Sequence, residues 1–171
     1  SKTLIQQIDT MSSIASAFSN FAKMPAQQNE TLNVVKIVKL ALDIFNEEYI
    51  EFSSDSEDII AKFDRTQLIR VVTNLVKNGI QAIPNNREPK IKVNVRTENN
   101  QVIITVSDNG SGVLEENKMK VFEPKFTTKT SGMGLGLAMV KNIVEMHKGT
   151  ISFESERHKG TTFIVTIPKE N

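Results

Sequence analysis

The eight glycines of this 171-residue chain are unevenly spread: none precedes Gly79, and most fall in compact clusters at Gly110 and Gly112, at Gly132, Gly134 and Gly136, and at Gly160. A packed core does not ask for such clusters. Glycine serves where the backbone takes positive φ or comes close to a ligand, and alternating glycines ahead of a helix expose amide N–H groups that bind anions. Taken singly, each also reads as a turn glycine. Two phosphate-binding patterns are excluded. No Gly-Lys-Ser/Thr tripeptide of a P-loop occurs, and Gly132 follows the polar run TTKTS rather than the apolar strand that a dinucleotide fingerprint requires.

Asp108 opens the run DNGSG (108–112) directly after an alternating segment, so its carboxylate sits at a strand end facing a pocket. A carboxylate only accepts hydrogen bonds; it suits the exocyclic amine of adenine and repels the carbonyl that guanine shows there. The same run is also an ordinary turn sequence. Asn74 and Asn78 are four apart on an otherwise apolar helical stretch, hence on one face. They are either buried amides satisfied by backbone or ligands, and an amide oxygen is a hard donor suited to Mg²⁺, which takes one or two protein ligands besides phosphates and water. Between Gly112 and Gly132 the chain has little periodicity but carries Phe122, Phe126, Thr128 and Lys129. A loop of that length is functional or mobile, with the phenylalanines as latches and Lys129 near phosphate oxygens.

These residues must be held by elements. Leu4, Ile8, Met11, Ala15, Phe18 and Ala22 form a heptad-like stripe over residues 1–23, which asks for another helix to cover it. The polar run MPAQQNE (24–30) reads as a linker, with a domain boundary at Gln27 that divides the chain into residues 1–27 and 28–171. Helical spacing predicts a helix over 31–45, short strands over 49–53 and 59–63, and a helix capped by Asp64 that stops before Pro84. Residues 90–96 and 102–107 alternate across an Asn99-Asn100 turn; a further helix spans 135–146 to the Gly149 break; 150–155 and 161–167 make a second hairpin across Lys159 and Gly160. The pattern is α+β: a two-layer sandwich with helices on one face of a mixed, largely antiparallel sheet.

Composition narrows the class. The chain is 39% hydrophobic and 24% charged, ordinary for a folded protein, and a net charge of +1 supplies no basic field for nucleic acid or an acidic membrane. The absence of cysteine excludes disulfides, thiol catalysis and cysteine zinc sites. No apolar stretch reaches the roughly 18 residues of a membrane span, and the polar N-terminus does not read as a signal peptide.

In order and spacing, NLVKNGIQA (74–82), DNGSGV (108–113), FEPKF (122–126), GMGLGLA (132–138) and GTTF (160–163) resemble the ATP-binding domain of bacterial sensor histidine kinases, in the superfamily of gyrase, the Hsp90 chaperones and MutL. The resemblance covers about residues 28–171, and the stripe ending in FSNFAKMP looks like the second helix of the kinase dimerisation hairpin of nitrogen-regulation type sensors. It implies a Bergerat-type sandwich holding ATP and Mg²⁺, with Asn78 as the metal ligand, Asn74 supporting it and Asp108 reading adenine. It also implies that Gly110 and Gly112 line the base pocket, that Gly132, Gly134 and Gly136 admit the triphosphate, and that Thr162 stands behind Asp108. Val113, Phe122, Phe126, Thr128, Lys129, Leu135 and Leu137 complete the implied nucleotide environment. Gly79, Gln81, Lys125 and Lys148 depart from the usual pattern: alanine, a basic phosphate contact, an aromatic residue and a second glycine are usual there. Gln81 thus puts one phosphate contact in doubt.

Hydrolysing relatives carry a glutamate at the position of Asn74, and an amide cannot activate water, so the resemblance implies a domain that keeps ATP for an acceptor. That acceptor is a histidine on a dimerisation helix not in this chain, relaying to an aspartate of a response regulator. The implied partners are the protein's own dimerisation helices, in a homodimer, and the response regulator receiver domain, with neither nucleic acid nor membrane touched by this piece. The expected compartment is the cytoplasm, with the full-length protein a candidate for anchoring in the inner membrane. A binding module that holds nucleotide without transfer, and a helix-bundle partner that has lost nucleotide binding, are the rival classes.

Overall fold

A computed structural model of the chain describes residues 28–124 and 136–169. The heptad stripe over 1–23, and Lys125, Phe126, Thr128, Lys129, Gly132, Gly134 and Leu135, lie outside the described residues. In chain order the elements are strand β1 (Asn29–Asn33), helix α1 (Val34–Asp43), strands β2 (Ile50–Ser54) and β3 (Ile60–Asp64), and helix α2 (Arg65–Ala82). Strands β4 (Ile91–Glu98) and β5 (Gln101–Asp108), a 3-10 helix (Glu115–Lys120), helix α3 (Gly136–Met146), and strands β6 (Thr150–Glu156) and β7 (Gly160–Pro168) follow.

Five strands form one sheet in the order β2-β4-β5-β7-β6; β2 runs parallel to β4 and the other neighbours are antiparallel. Strand alternation sends Ile91, Val93, Val95, Val102, Ile104, Val106, Phe163, Val165 and Ile167 to one face, each at most 2% exposed. The helices cover that face with Val34, Val35, Val38, Leu68, Val72, Leu75, Val140 and Ile143. Removing each such side chain from water contributes about 1.5–3 kcal/mol. This is the expected two-layer α+β sandwich with a mixed, largely antiparallel sheet.

Local chemistry sets the helix ends. Asn33 caps α1 by accepting the Val35 N–H at 3.1 Å, and Asp64 caps α2 by accepting the Gln67 N–H at 3.1 Å. Pro84 disfavours helical backbone at the residue before it, and Ile83 turns to extended backbone (φ −86°, ψ 122°). Helix α3 closes in a Schellman motif, with Gly149 N–H to Val144 O at 2.9 Å and Lys148 N–H to Glu145 O at 3.0 Å. Asn99 (φ 51°) and Asn100 (φ 63°) take the left-handed turn expected of them.

Three elements differ from the sequence expectation. Residues 29–33 are not linker and helix start but strand β1, antiparallel to β3 with Asn29 opposite Asp64; β3 lies outside the large sheet, and its backbone groups need that partner. Helix α1 therefore begins at Val34 rather than Thr31. The aperiodic run after Gly112 contains the 3-10 helix, whose side chains are all exposed or half-buried.

Candidate functional site

The inward alternation of β5 through Val102, Ile104 and Val106 ends on Asp108, so the carboxylate points toward the helix layer. Its Oδ1 accepts two backbone N–H groups, from Gly110 at 2.8 Å and from Thr161 at 3.3 Å. Oδ2 has no hydrogen-bond partner among the described residues and faces α2 at Gly79, where an added Cβ would lie 3.5 Å from it. One oxygen is thus fixed and the other presented. Burial pushes the Asp108 carboxyl above the usual carboxylate range, against the opposing pull of the Gly110 and Thr161 N–H groups.

Close backbone contacts build the wall around it. A Cβ on Gly110 would stand 2.6 Å from the carbonyl oxygen of Ala82, which accepts both the N–H and the hydroxyl of Ser111, at 3.0 and 3.1 Å. Arg87 donates from Nη1 to the carbonyls of Asn109 at 2.6 Å and Gly110 at 3.0 Å, and Asn109 accepts the Lys90 N–H at 2.8 Å. The DNGSG turn is therefore clamped to the end of α2 and the loop after it. Gly160 (φ 133°) lets the β6–β7 turn lie directly on the Asp108 carbonyl, a place that no Cβ fits.

Helix α2 carries Asn74, Asn78 and Gln81 along one stripe. Gly79 abuts Asp108, so the stripe runs from the carboxylate toward α3, and Asn74 lies about 7.5 Å further along the axis. Asn74 donates from Nδ2 to Arg70 O at 2.8 Å and holds Oδ1 3.0 Å from where a Cβ of Gly136 would be. The head of α3, whose first N–H groups have no partner within the helix, is thereby set beside Asn74. Asn78 is half-buried and its amide has no partner among the described residues, so its oxygen is a hard donor open to a cation. Gln81 is exposed.

Other expected contacts fall elsewhere. Phe122 packs edge-on against Phe153 at 5.8 Å and Phe163 at 6.1 Å, with the Lys141 ammonium 5.7 Å from its ring, so its role in the described structure is to anchor the segment after Gly112. Leu137 packs against the core, as does Val113, which is also held through its N–H to Ser155 Oγ at 2.7 Å. Gly112 takes φ 79° over the β6–β7 turn. Thr162 is a correction: it lies on the outer face, its hydroxyl 2.7 Å from that of Ser107, and the residue behind Asp108 is Thr161. The alternation of Thr161, Phe163, Val165 and Ile167 carried that signal, since inward positions of β7 are the odd ones. Arg87 had no sequence signal.

His147 stands apart from this site, whereas the His158 N–H donates to the Ser111 carbonyl of the DNGSG turn at 2.6 Å. His147 is buried at the end of α3, with Nδ1 2.8 Å from Ile143 O and Nε2 accepting the Asp64 N–H at 3.2 Å. His158 occupies the β6–β7 turn at φ 70°.

A family model described as histidine kinase-, DNA gyrase B- and HSP90-like ATPase matches residues 63–171. Sporulation kinase B of Bacillus subtilis is 30% identical over 174 residues, covering 99% of this chain and 40% of that protein. Nitrogen regulation protein NtrY of Azorhizobium caulinodans is 30% identical over 177 residues, covering 98% of this chain and 23% of that protein. The chain thus spans less than half the length of these curated relatives. Among solved structures, the catalytic domain of histidine kinase ThkA is 35% identical with a TM-score of 0.73, over 84% of this chain and 97% of that one. ThkA in complex with the response regulator protein TrrA is 30% identical with a TM-score of 0.76, over 98% of this chain and 50% of that one. No described helix is long and apolar enough to cross a membrane.

Proposed function

The chain belongs to the histidine kinase-, DNA gyrase B- and HSP90-like ATPase family, and from that premise we propose that it binds Mg-ATP and transfers the γ-phosphoryl group to a histidine on a dimerisation helix beyond this chain. The phosphoryl group then passes to an aspartate of a response regulator. Residues 1–27 are, in this reading, the end of the dimerisation hairpin of a homodimeric, nitrogen-regulation type sensor working at the cytoplasmic side.

The observation that carries the proposal is the divided role of the Asp108 oxygens. Oδ1 is held by two backbone N–H groups, so Oδ2 stays turned toward α2 at Gly79, where it would accept from the adenine amine. Guanine would set a carbonyl against that oxygen. In this reading the stripe of Asn78 and Asn74 leads from the base to the head of α3, whose N–H groups, with the glycines at 132, 134 and 136, would admit the phosphates. Asn78 would hold Mg²⁺ through its amide oxygen, and the metal would supply charge neutralisation at the phosphates. Asn74 cannot take a proton from water, so ATP is kept for an imidazole acceptor placed in line with it.

Calorimetry tests the reading. ATP should bind far more tightly than GTP, and Asp108→Ala should cost about 1.5–3 kcal/mol of ATP affinity. With a supplied dimerisation hairpin, Mg²⁺ and labelled ATP should place acid-labile, base-stable phosphate on the hairpin. Equal affinity for the two purines overturns the assignment, and tight binding without transfer leaves a module that only holds nucleotide.

A further inference from the structure

We propose that Ser155 is a positioning residue of the nucleotide site: its hydroxyl ties the segment leaving the glycine turn to the strand that orients Asp108. The proposal rests on the nucleotide reading above and deepens it.

Ser155 lies on the inner face of the edge strand β6, directly opposite Thr161 on β7. The inward neighbours along these strands, Phe153 and Phe163, are apolar and pack on each other at 5.8 Å. A polar cross-strand pair here is not required by the core. Its hydrogen bonds close completely. Ser155 Oγ accepts the Val113 N–H at 2.7 Å, donates to Gly160 O at 3.2 Å, and stands 2.8 Å from Thr161 Oγ1, which is left to donate to its second lone pair. One hydroxyl thus uses its single donor and both acceptor sites.

Two of the three partners bear on Asp108, and the third begins the segment that follows the glycine turn. Thr161 gives its N–H to Asp108 Oδ1 at 3.3 Å, and Gly160 is the residue that lies against the Asp108 carbonyl. Val113 begins the segment after Gly112, and the Ser155 carbonyl also accepts the Lys118 ammonium at 3.2 Å, holding the 3-10 helix to the same strand. The position of that segment and the rotamer of the carboxylate are therefore coupled through one oxygen atom. Without the hydroxyl, the Val113 N–H loses its acceptor and the Thr161 hydroxyl must turn elsewhere, which loosens the longer of the two bonds to Oδ1.

The test compares Ser155→Thr, which keeps the hydroxyl, with Ser155→Val, which has the same shape without it, alongside Ser155→Ala. ATP and GTP affinities are measured by calorimetry, and the titration of the Asp108 carboxyl carbon is followed by NMR in nucleotide-free protein. Ser155→Val and Ser155→Ala should lower the ATP-to-GTP affinity ratio roughly three- to tenfold, raise the Asp108 titration midpoint and speed amide exchange at Val113. Ser155→Thr should keep all three near the parent values. If the parent protein binds ATP selectively and the valine and alanine variants keep its ratio and its Asp108 midpoint, the assignment of Ser155 is wrong. If the midpoint moves as expected while the parent protein shows no purine preference, the coupling of Ser155 to Asp108 stands and the nucleotide reading falls instead.

Discussion

The rings of Phe63 and His147 lie face to face, their centroids 3.6 Å apart and their planes 9° from parallel. Burial holds the imidazole below its ordinary pKa, against the opposing influence of the Ile143 carbonyl and the Asp64 carboxylate. Its folded form is therefore the neutral one, with Nδ1 donating to Ile143 O and Nε2 accepting from Asp64. The unfolded chain takes up a proton near pH 6.5, whereas the folded chain resists it until lower pH. The stability from this group is complete above about 6.5 and declines as pH falls through that value toward the folded pKa. Urea midpoints should show this decline, and His147→Asn should abolish it; an unchanged slope in the variant removes the assignment. Labelled Mg-ATP should also leave His147 without phosphate, since both ring nitrogens are engaged.

Asn78→Ala should leave the fold in place, because the amide bonds no described residue and alanine is the best helix former. A stability change within about 1 kcal/mol is expected. The gain in ATP affinity on adding Mg²⁺ should disappear. Titration of ATP with and without the metal decides it, and a variant that keeps the metal effect moves the ligand to another residue.

Gln67 is 3% exposed, and neither its Nε2 nor its Oε1 has a hydrogen-bond partner among the described residues. Three residues after the Asp64 cap, a glutamine ordinarily reaches back to the N–H of the cap residue; here His147 has taken that N–H. Gln67→Met keeps the length and removes the stranded amide, so it should stabilise the domain by about 1–3 kcal/mol in urea unfolding. A loss of stability would show that an ordered water satisfies the amide.

Lys148 takes φ 62° at the left-handed position of the α3 Schellman motif. Left-handed backbone costs a side-chain-bearing residue about 1–2 kcal/mol, and glycine returns part of that gain as unfolded-chain entropy. Lys148→Gly should therefore raise stability by about 0.5–1 kcal/mol. Thermal unfolding measures it, and a destabilised variant would mean that the lysine side chain contributes more than its backbone costs.

The helices were legible where capping and periodicity agreed. Asp64 and Pro84 bracket α2 as expected, and the stripe of Asn74 and Asn78 follows from spacing alone. Strand β1 was not legible, because NETLN has no alternating face and becomes a strand only through pairing with β3. Nor could local pattern show that β2 joins the large sheet parallel to β4 while β3 leaves it. In the site, residue type pointed to Asp108, but its orientation depends on N–H groups of Gly110 and Thr161, which side-chain chemistry does not announce. The displacement of Thr162 by Thr161 is a parity error: one step along a strand exchanges the two faces of the sheet.

Strand β1 also shapes how the chain assembles. The Asn29 side-chain amide lies 2.9 Å from His147 Nε2, across 118 residues of sequence, and with Nε2 accepting it bonds there through its NH₂ group. Closing so long a loop costs entropy before any contact repays it, so the contact between Asn29 and His147 is expected to form late in folding. A ribosome must release α3 before β1 can find its full set of neighbours. Strand β1 is thus completed by the end of α3, and a nascent chain halted before residue 147 would carry β1 without the imidazole that fastens it.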